Sequence, residues 1–354
     1  MAAVPQLANE VTPESAWTAL WRRLQDDRVG AVSLGIVIAY LVMILFAASG
    51  WLAGGWSQEV GVPYANPAFL GERPNLEAAL HKRMEHKGKM PDLRDIDPLA
   101  PKYDEWAKRT GELKSTEPER LLTLPWGGDR WGRNVLDKAI KGSQVSIAVG
   151  VVAALCATLI GTLLGALSGF YGRWVSDILE WLYNVFTSIP GILLVFTLAA
   201  VLRSGPLASM FASGIWTVVI ILAFTGWTGM YRLVRAEYMK HRSREYVLAA
   251  QAIGASAASR MFVHILPNVS HVILVQLSLL VVAFIKVEVI LSFLGLGVPV
   301  DMVSWGTMLS EAQTELIIGK WWQLAAATVF MAIFLTAFSM LTDSLRDALD
   351  PKLR

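Results

Sequence analysis

Long stretches without a charged residue are the feature that most constrains this chain. Hydrophobic residues make up 54% of the sequence and charged residues only 17%, and the charges are crowded into a few places. An α-helix rises about 1.5 Å per residue, so about 20 residues cross the roughly 30 Å of a bilayer's hydrocarbon core. Windows of that length without Asp, Glu, Lys or Arg lie between Arg28 and Glu59, Lys141 and Arg173, Glu180 and Arg203, Arg203 and Arg232, Arg260 and Lys286, and Lys320 and Asp343.

These windows predict an all-α integral membrane protein with six transmembrane helices. Helices are required because backbone polar groups in lipid must bond within their own segment. The apolar stretch of the first window exceeds the core of a cleaved signal peptide, so we expect a retained helix there. The predicted spans are 30–53, 145–170, 179–202, 214–236, 268–296 and 322–342.

The distribution of basic residues predicts an orientation. Lys and Arg are numerous before the first span, in the segment after the fourth span and after the last span, whereas the two short loops on the other side hold only Arg203 and Lys320. Short cytoplasmic loops carry the excess of positive charge. Both termini are therefore expected in the cytoplasm.

The long segment 54–143 is then external. Long loops translocate largely regardless of charge, so its own Lys and Arg do not change the orientation. Frequent prolines exclude a long helix there, although 76–87 and 103–112 are compatible with short polar helices. Two interpretations stay open: the insertion only covers the outer mouth, or it is a docking surface for an external partner that delivers solute.

Two features inside the predicted spans concern helix packing. Gly161, Gly165 and Gly169 are four residues apart, which places them on one stripe where another backbone can approach closely. Pro190 removes a backbone hydrogen bond in the third span, so a kink or an opened turn is expected there. A kink beside a solute pathway is the alternative to simple packing for Pro190.

Lys286 and Glu288 are ionisable residues inside the fifth predicted span. Such groups are costly in lipid unless they face a partner or a cavity. Two residues apart on a helix, they point about 200° away from each other and are poor partners. Snorkelling to the interface, pairing with a neighbouring subunit and lining a solute path are the three interpretations.

No constellation typical of catalysis is visible in the sequence. It contains no His-Glu-x-x-His spacing, no Gly-x-Ser-x-Gly elbow and no Gly-x4-Gly-Lys-Ser/Thr phosphate-binding loop. We therefore expect no enzyme activity, metal or cofactor in this chain. Any nucleotide-driven work must be powered by a different chain.

The polar segment between the fourth and fifth spans has the composition of a contact surface. Residues 245–254 predict a short helix with small residues at 249, 250, 252 and 254, which allow close approach to a partner. Gly254 suits the helix terminus and the turn after it. Pro267 restricts the chain where it re-enters the membrane, which predicts a rigid connection to the fifth span.

Several of these segments occur in the order known from one family. Residues 124–136, Ser292-Phe-Leu-Gly-Leu-Gly297, Ser304-Trp-Gly-Thr-Met-Leu309 and residues 345–354 resemble signatures of the C-type permease subunit of the dipeptide, oligopeptide and nickel ABC importers. The cytoplasmic segment is similar to the family's Glu-Ala-Ala-x3-Gly-x9-Ile-x-Leu-Pro pattern. Ala249, Ala250 and Gly254 fit, and Leu266-Pro267 close the motif, with Leu248 in the place of the pattern's Glu.

This resemblance implies the fold and the site. The fold would be the ABC permease core of five helices plus an N-terminal helix, with a large external insertion between helices 1 and 2. The cytoplasmic segment would form a coupling helix seated in a groove of an ATPase subunit, with Glu245 one helical turn before the missing Glu. The coupling residues implied are Glu245, Ala249, Ala250, Gly254, Ser256, Leu266 and Pro267, and the candidate pathway or intersubunit residues are Lys286, Glu288 and Pro190.

The resemblance also implies partners. They are a homologous B-type permease subunit, two ABC ATPase subunits that bind ATP and Mg²⁺, and an external peptide-binding protein, with no nucleic acid. The location would be the bacterial inner membrane. The predicted organisation is a cytoplasmic segment 1–29, the first helix 30–53, the external insertion 54–143, a permease core 144–345 with a coupling loop 237–267, and a cytoplasmic tail 346–354.

The function predicted is half of an alternating-access pathway for di- and oligopeptides. An ABC permease for nickel chelates or antimicrobial peptides is an alternative. An ion-driven secondary transporter is less favoured, because it calls for paired intramembrane carboxylates and inverted repeats, and Glu288 is the only acidic residue deep in a predicted helix. An intramembrane hydrolase would need paired catalytic groups at one depth.

Overall fold

A computed structural model describes residues 27–71, 97–112, 120–204, 214–299 and 301–349. The chain divides into two compact units, one of Met1–Gly54 with Asp137–Arg354 and one of Gly55–Leu136. The sequence predicted the insertion at 54–143. The predicted helix 76–87, residues 1–26 and residues 350–354 lie outside the described ranges.

The first unit is built from helices. Among the described residues, five helices are long and apolar enough to cross a membrane. A sixth span results if one bent helix pair is counted as a single span. The helices are α1 (Arg28–Ala48), α3 (Val135–Tyr171), α4 (Arg173–Thr187), α5 (Gly191–Ser204), α6 (Ile215–His241), α7 (Glu245–Ala252), α8 (Ala257–Phe293), α9 (Trp305–Ile317) and α10 (Trp322–Leu349), with α2 (Tyr103–Glu112) in the second unit.

The third predicted span is broken. Helices α4 and α5 meet at an angle of 84° around Pro190, so the interruption predicted there is confirmed, and the pair forms either one broken span or a re-entrant loop. Pro190 lies between the two helices and has no N–H to continue the ladder of α4, and its carbonyl accepts the N–H groups of Leu193 at 2.9 Å and Leu194 at 3.1 Å in the first turn of α5. The Ser188 hydroxyl donates to the Val185 carbonyl at 2.8 Å, which satisfies one of the acceptors freed at the break.

The glycine stripe of α3 packs against α6, as predicted. A Cβ atom at Gly161 would lie 2.7 Å from the Trp227 carbonyl oxygen, and one at Gly165 would lie 2.7 Å from that of Tyr231. At Gly169 the corresponding distance to the Arg235 carbonyl oxygen is 2.6 Å. Only glycine permits this approach of two backbones along three successive turns.

The fifth span begins earlier than predicted. Helix α8 starts at Ala257 rather than near 268 and contains a π-helical turn over Arg260–Ile265. A π-turn opens the ladder where Pro267 has no N–H to donate. Pro267 therefore lies within a continuous helix instead of marking re-entry after a loop.

Helix α9 was not predicted from the sequence. It begins with a capping box in which the Ser304 hydroxyl accepts the Thr307 N–H at 3.2 Å and the Thr307 hydroxyl accepts the Ser304 N–H at 2.8 Å. Gly306 is packed so closely that an added Cβ would lie 2.5 Å from the Val289 carbonyl oxygen of α8.

Helix α1 packs along α10. The Tyr40 hydroxyl donates to the Phe330 carbonyl at 2.9 Å, and the ring of Tyr40 lies 5.2 Å from that of Phe334. At the other end of the contact, Ser344 donates to the Asp27 carboxylate at 2.5 Å. Because residue 27 meets 344 and residue 40 meets 330, the two helices are antiparallel.

The second unit contains a two-stranded parallel sheet. Strands β1 (Gly61–Pro67) and β2 (Leu121–Leu124) pair Gly61 with Leu121 and Pro67 with Leu124. The buried Asp129 carboxylate accepts the N–H of Trp131 and Arg133, each at 2.9 Å, and pairs with the Arg133 guanidinium at 2.7 Å. Helix α2 agrees with the short helix predicted at 103–112.

Candidate functional site

The cytoplasmic segment predicted from sequence forms a short helix with a defined end. Helix α7 runs from Glu245 to Ala252. Gly254 adopts φ +88°, its N–H donates to the Gln251 carbonyl at 3.0 Å, and the Ala255 N–H donates to the Ala250 carbonyl at 2.9 Å. This is a Schellman motif, in which a left-handed residue ends the helix and glycine is favoured. The predicted role of Gly254 at the terminus is confirmed.

The two alanines of the motif face different ways. Ala249 is exposed on the same stripe as Glu245 and Leu248, whereas Ala250 is buried together with Val247 against the rest of the chain. Residues three and four apart lie on one helix face, so this separation follows from the register of α7. Ala249 is available to a partner, and Ala250 holds the helix in place.

Contacts fix α7 to the ends of longer helices. The Tyr246 hydroxyl lies 2.8 Å from Nδ1 of His241, the last residue of α6. Burial raises the pKa of Tyr246, so its hydroxyl keeps its proton at neutral pH. Gln251 accepts a hydrogen bond from the guanidinium of Arg260.

The start of α8 is also anchored. The Arg260 guanidinium lies 5.3 Å from the centre of the Phe170 ring of α3, and the Tyr238 hydroxyl donates to the Met261 carbonyl at 3.2 Å. Ser256 is exposed, and its hydroxyl accepts the Ser259 N–H at 3.2 Å as the N-cap of α8. These contacts connect α7 and the start of α8 to α3 and α6.

The remaining predicted coupling residues lie on α8. Leu266 is half-buried and Pro267 is exposed at the end of the π-helical turn. Asn268 donates to the His264 carbonyl at 2.7 Å, which supplies a bond near the point where Pro267 interrupts the ladder.

Sequence reasoning missed the apolar character of the exposed face. Leu248 is 52% exposed and Ile253 is 86% exposed, although neither is predicted to lie in lipid. No local pattern marks this exposure, because Ile253 lies just before the glycine of the Schellman motif, whereas the hydrophobic contact of that motif involves the residue after the glycine. We define Glu245, Leu248, Ala249, Ile253 and Gly254 as the α7 surface.

A second polar site lies at the opposite end of α3. Glu288 of α8 is fully buried, its Oε1 accepts the Ser292 hydroxyl at 2.7 Å, and the Ser146 and Ser304 hydroxyls lie near the carboxyl group. Ser146 in turn accepts the Trp305 N–H at 3.2 Å. Glu288 thus lies beside the N-terminus of α9, where the helix dipole favours an acidic group.

A second set of polar contacts anchors helix α9 near its middle. The Lys138 amine is 1% exposed and lies 2.5 Å from Glu311 Oε2 and 3.2 Å from Gln323 Oε1. Gln323 also donates to Glu311 Oε2 at 3.0 Å and to the Met308 carbonyl at 3.2 Å. This network joins α3, α9 and α10, and sequence reasoning missed it because its members are far apart in the chain.

Lys286 and Glu288 are placed in different surroundings. Lys286 is exposed on α8, and no ion pair to it is found within the described ranges, whereas Glu288 is enclosed by α3 and α9 residues. The side chains of Lys286 and Glu288 do not contact each other, and neither contacts Pro190 or the α7 surface. The pathway or intersubunit role of these three residues stays a prediction.

Over half of the chain matches a known protein family. Residues 161–354 match the family described as binding-protein-dependent transport system inner membrane component. The oligopeptide transport system permease protein OppC of Bacillus subtilis (strain 168) is 36% identical over 256 residues, covering 72% of this chain and 81% of that protein. The dipeptide transport system permease protein DppC of the same organism is 37% identical over 229 residues, covering 65% and 69%.

Similar matches occur elsewhere. OppC of Escherichia coli (strain K12) is 36% identical over 252 residues, covering 71% of this chain and 78% of that protein. Among solved structures, an inward-facing form of the MetNI methionine ABC transporter matches with a TM-score of 0.47 and 16% identity, covering 60% of this chain and 96% of that chain.

Proposed function

Because this chain belongs to the family of binding-protein-dependent transport system inner membrane components, we propose that it is a permease subunit of an ATP-driven peptide importer. The observation that carries the peptide assignment is the similarity to OppC and DppC over most of the chain. Their names specify oligopeptide and dipeptide transport, so peptides of this range are the proposed solute.

The proposed mechanism is alternating access driven by partner subunits. ATP binding would draw two ATPase subunits together and move α7, and the anchored helices α3, α6 and α8 would rock with it. Support comes from the contacts of Tyr246, Gln251 and Arg260, which leave α7 little freedom to move alone. Hydrolysis would restore the inward-facing state.

The proposed assembly contains further chains. A homologous permease subunit would complete the pathway, two ATPase subunits would dock on this permease and its homologue, and an external binding protein would release the peptide. Both termini would be cytoplasmic in the inner membrane. The exposed α7 surface supports the ATPase contact, because an apolar side chain as exposed as Ile253 is suited to burial against a partner.

Gly254 provides a specific test of the coupling role. A Cβ at Gly254 would meet no atom of the described residues within 4 Å, so the space directly beside its backbone is open and the positive φ is the penalty at this atom. Gly319 has φ +78° and equally open space, and it lies at the C-terminal end of α9. The two positions therefore carry a similar backbone penalty.

We expect Gly254→Trp to abolish ATPase association and peptide uptake, and Gly319→Trp to leave ATPase association intact. Association is measured by co-purification in mild detergent and uptake with a labelled dipeptide. Wild-type association and uptake by Gly254→Trp would show that α7 is not the docking helix.

The function as a whole is tested by purifying the tagged chain from its native membrane in mild detergent. Mass spectrometry should identify a second permease and ATPase subunits. ATPase activity should rise when a peptide-loaded binding protein is added and not when the empty one is added. A reproducibly solitary chain without a nucleotide-hydrolysing partner would contradict the proposal.

A further inference from the structure

An apolar groove runs between the first and last helices of the membrane unit. It has a volume of about 710 Å³ and is lined mainly by Val29, Val32, Ile36, Ile333 and Met340. Its lining on α10 also includes two small exposed residues, Ala332 and Thr336. No described part of the chain fills it.

The groove has one charged end. Arg28, the first residue of α1, lines it and is exposed, and within the described ranges it forms no ion pair. The neighbouring Asp27 carboxylate is already engaged by the Val29 N–H at 3.0 Å and by the Ser344 hydroxyl. Among the described residues, the guanidinium of Arg28 is therefore available to an anion that is not part of this chain, at one end of the groove.

We propose that this groove binds a phospholipid, with an acyl chain between α1 and α10 and the lipid phosphate on Arg28. The fork of N–H donors on an arginine matches phosphate geometry and can bind two of its oxygens. Apolar contact alone selects nothing inside hydrocarbon, because lipid tails are as apolar as the groove. The charged end selects the occupant.

The dimensions favour a lipid chain over a helix. The lining residues on α1 extend from 28 to 36, which is about 12 Å along a helix and less than half of the roughly 30 Å hydrocarbon core. One leaflet's acyl chain fits this length.

The chain's own N-terminal residues are unsuitable occupants. Arg22, Arg23 and Asp26 immediately precede α1, and folding back along the groove would carry these charges into hydrocarbon. Asp343, Arg346 and Asp347 near the end of α10 carry both signs of charge. The site therefore recognises the phosphate through Arg28 rather than through a general positive field.

Photocrosslinking tests the occupant directly. In the full transporter complex, p-benzoylphenylalanine is placed at Ala332 or at Ala31, an exposed residue of α1 that does not line the groove. The complex is extracted, washed by repeated detergent exchange, irradiated and analysed by mass spectrometry. We expect a phospholipid adduct to persist at position 332 and to be lost at position 31.

Arginine variants then test the charged end. Arg28→Gln should lower the adduct at position 332 about tenfold, because a charge-assisted bond is lost, while Arg28→Lys retains most of it. Adding isotope-labelled phosphatidylglycerol before irradiation should give a labelled adduct at position 332 in the wild type and little or none in Arg28→Gln. Size-exclusion chromatography confirms that each variant remains assembled.

Four outcomes would overturn the proposal. They are an adduct at position 332 to residues 1–26, an adduct to another subunit, equal washing-out at positions 332 and 31, and an adduct unaffected by Arg28→Gln. The readout is lipid retention, so the result is independent of whether the solute is a peptide.

Discussion

Gly165 is a point where the backbones of α3 and α6 approach closely. A Cβ there would lie 2.7 Å from the Tyr231 carbonyl oxygen and 2.9 Å from the Val234 Cβ, so Gly165→Leu must push the helices apart. Overpacking costs about 1–3 kcal/mol, and a clash with backbone belongs at the upper end. We expect a marked loss of thermal stability in detergent, measured by size-exclusion chromatography after heating.

Gly35 of α1 is the matched control for that substitution, because no atom lies within 4 Å of its added Cβ. Gly35→Leu should leave the thermal transition close to that of the wild type. Equal stability of the two variants would contradict the close approach of α3 and α6.

Lys138 illustrates a second residue whose role depends on distant partners. The substitution Lys138→Met removes the amine that lies 2.5 Å from the Glu311 carboxylate. Glu311, which is 27% exposed, then loses this cation. Breaking a buried pair costs about 3–5 kcal/mol, and the partial exposure of Glu311 places this case near the lower limit. Lys138→Met should lower the thermal transition clearly.

The double variant Lys138→Met with Glu311→Met provides the control. Replacing both partners by apolar groups leaves no uncompensated charge, so the double variant should be more stable than Lys138→Met alone. If the second substitution destabilised the protein further, the two residues would not act as a pair.

At the scale of elements, α7 exposes an apolar side chain that its own chain does not cover. Ile253 is 86% exposed and Ile317, the last residue of α9, is 85% exposed. Complete burial of an isoleucine side chain is worth about 1.5–3 kcal/mol, and about 1.4 kcal/mol corresponds to a tenfold change in affinity. Ile253→Asp should therefore weaken ATPase co-purification at least tenfold.

Ile317→Asp introduces the same change at matched exposure on a different element, and ATPase co-purification should not change. Equal loss in both variants would indicate a general assembly defect. Equal retention would show that the partner does not bury Ile253.

Helix α9 and the α4–α5 break show where local patterns were insufficient. The sequence predicted a kink at Pro190, because a missing N–H is a local property, but it could not predict an angle of 84°. Helix α9 follows a buried capping box at Ser304 and is held by Glu288 and Lys138 from other helices. The contacts from Glu288 and Lys138 are long-range and cannot be read from the local sequence. The helix itself is too short and too polar to stand out as a hydrophobic run.

At the scale of the whole molecule, the predicted orientation is testable with single cysteines. Cys156, the only natural cysteine, is first replaced by Ser. With cytoplasmic termini, Gln251→Cys in α7 should react with a membrane-impermeant maleimide only after permeabilisation, and Ile317→Cys should react in intact cells or spheroplasts. The opposite pattern of labelling would invert the topology.

The sequence by itself determined that the chain spans a membrane and that the glycine stripe is a helix contact. It also determined the α7 helix and its glycine terminus. These properties depend on neighbouring residues: the length of apolar runs, a four-residue spacing and the backbone freedom of Gly254. Membership of the permease family followed from the order of its motifs and was confirmed by the matches to permeases.

Only the tertiary structure decided which residues of those helices are available. It turned Ala249 outward and Ala250 inward, enclosed Glu288 while leaving Lys286 exposed, and joined Lys138 to Glu311 across 173 residues of chain. Burial and pairing depend on how helices distant in sequence pack together. Periodicity can place a residue on a helix face, but only the packing of the helices determines what that face meets.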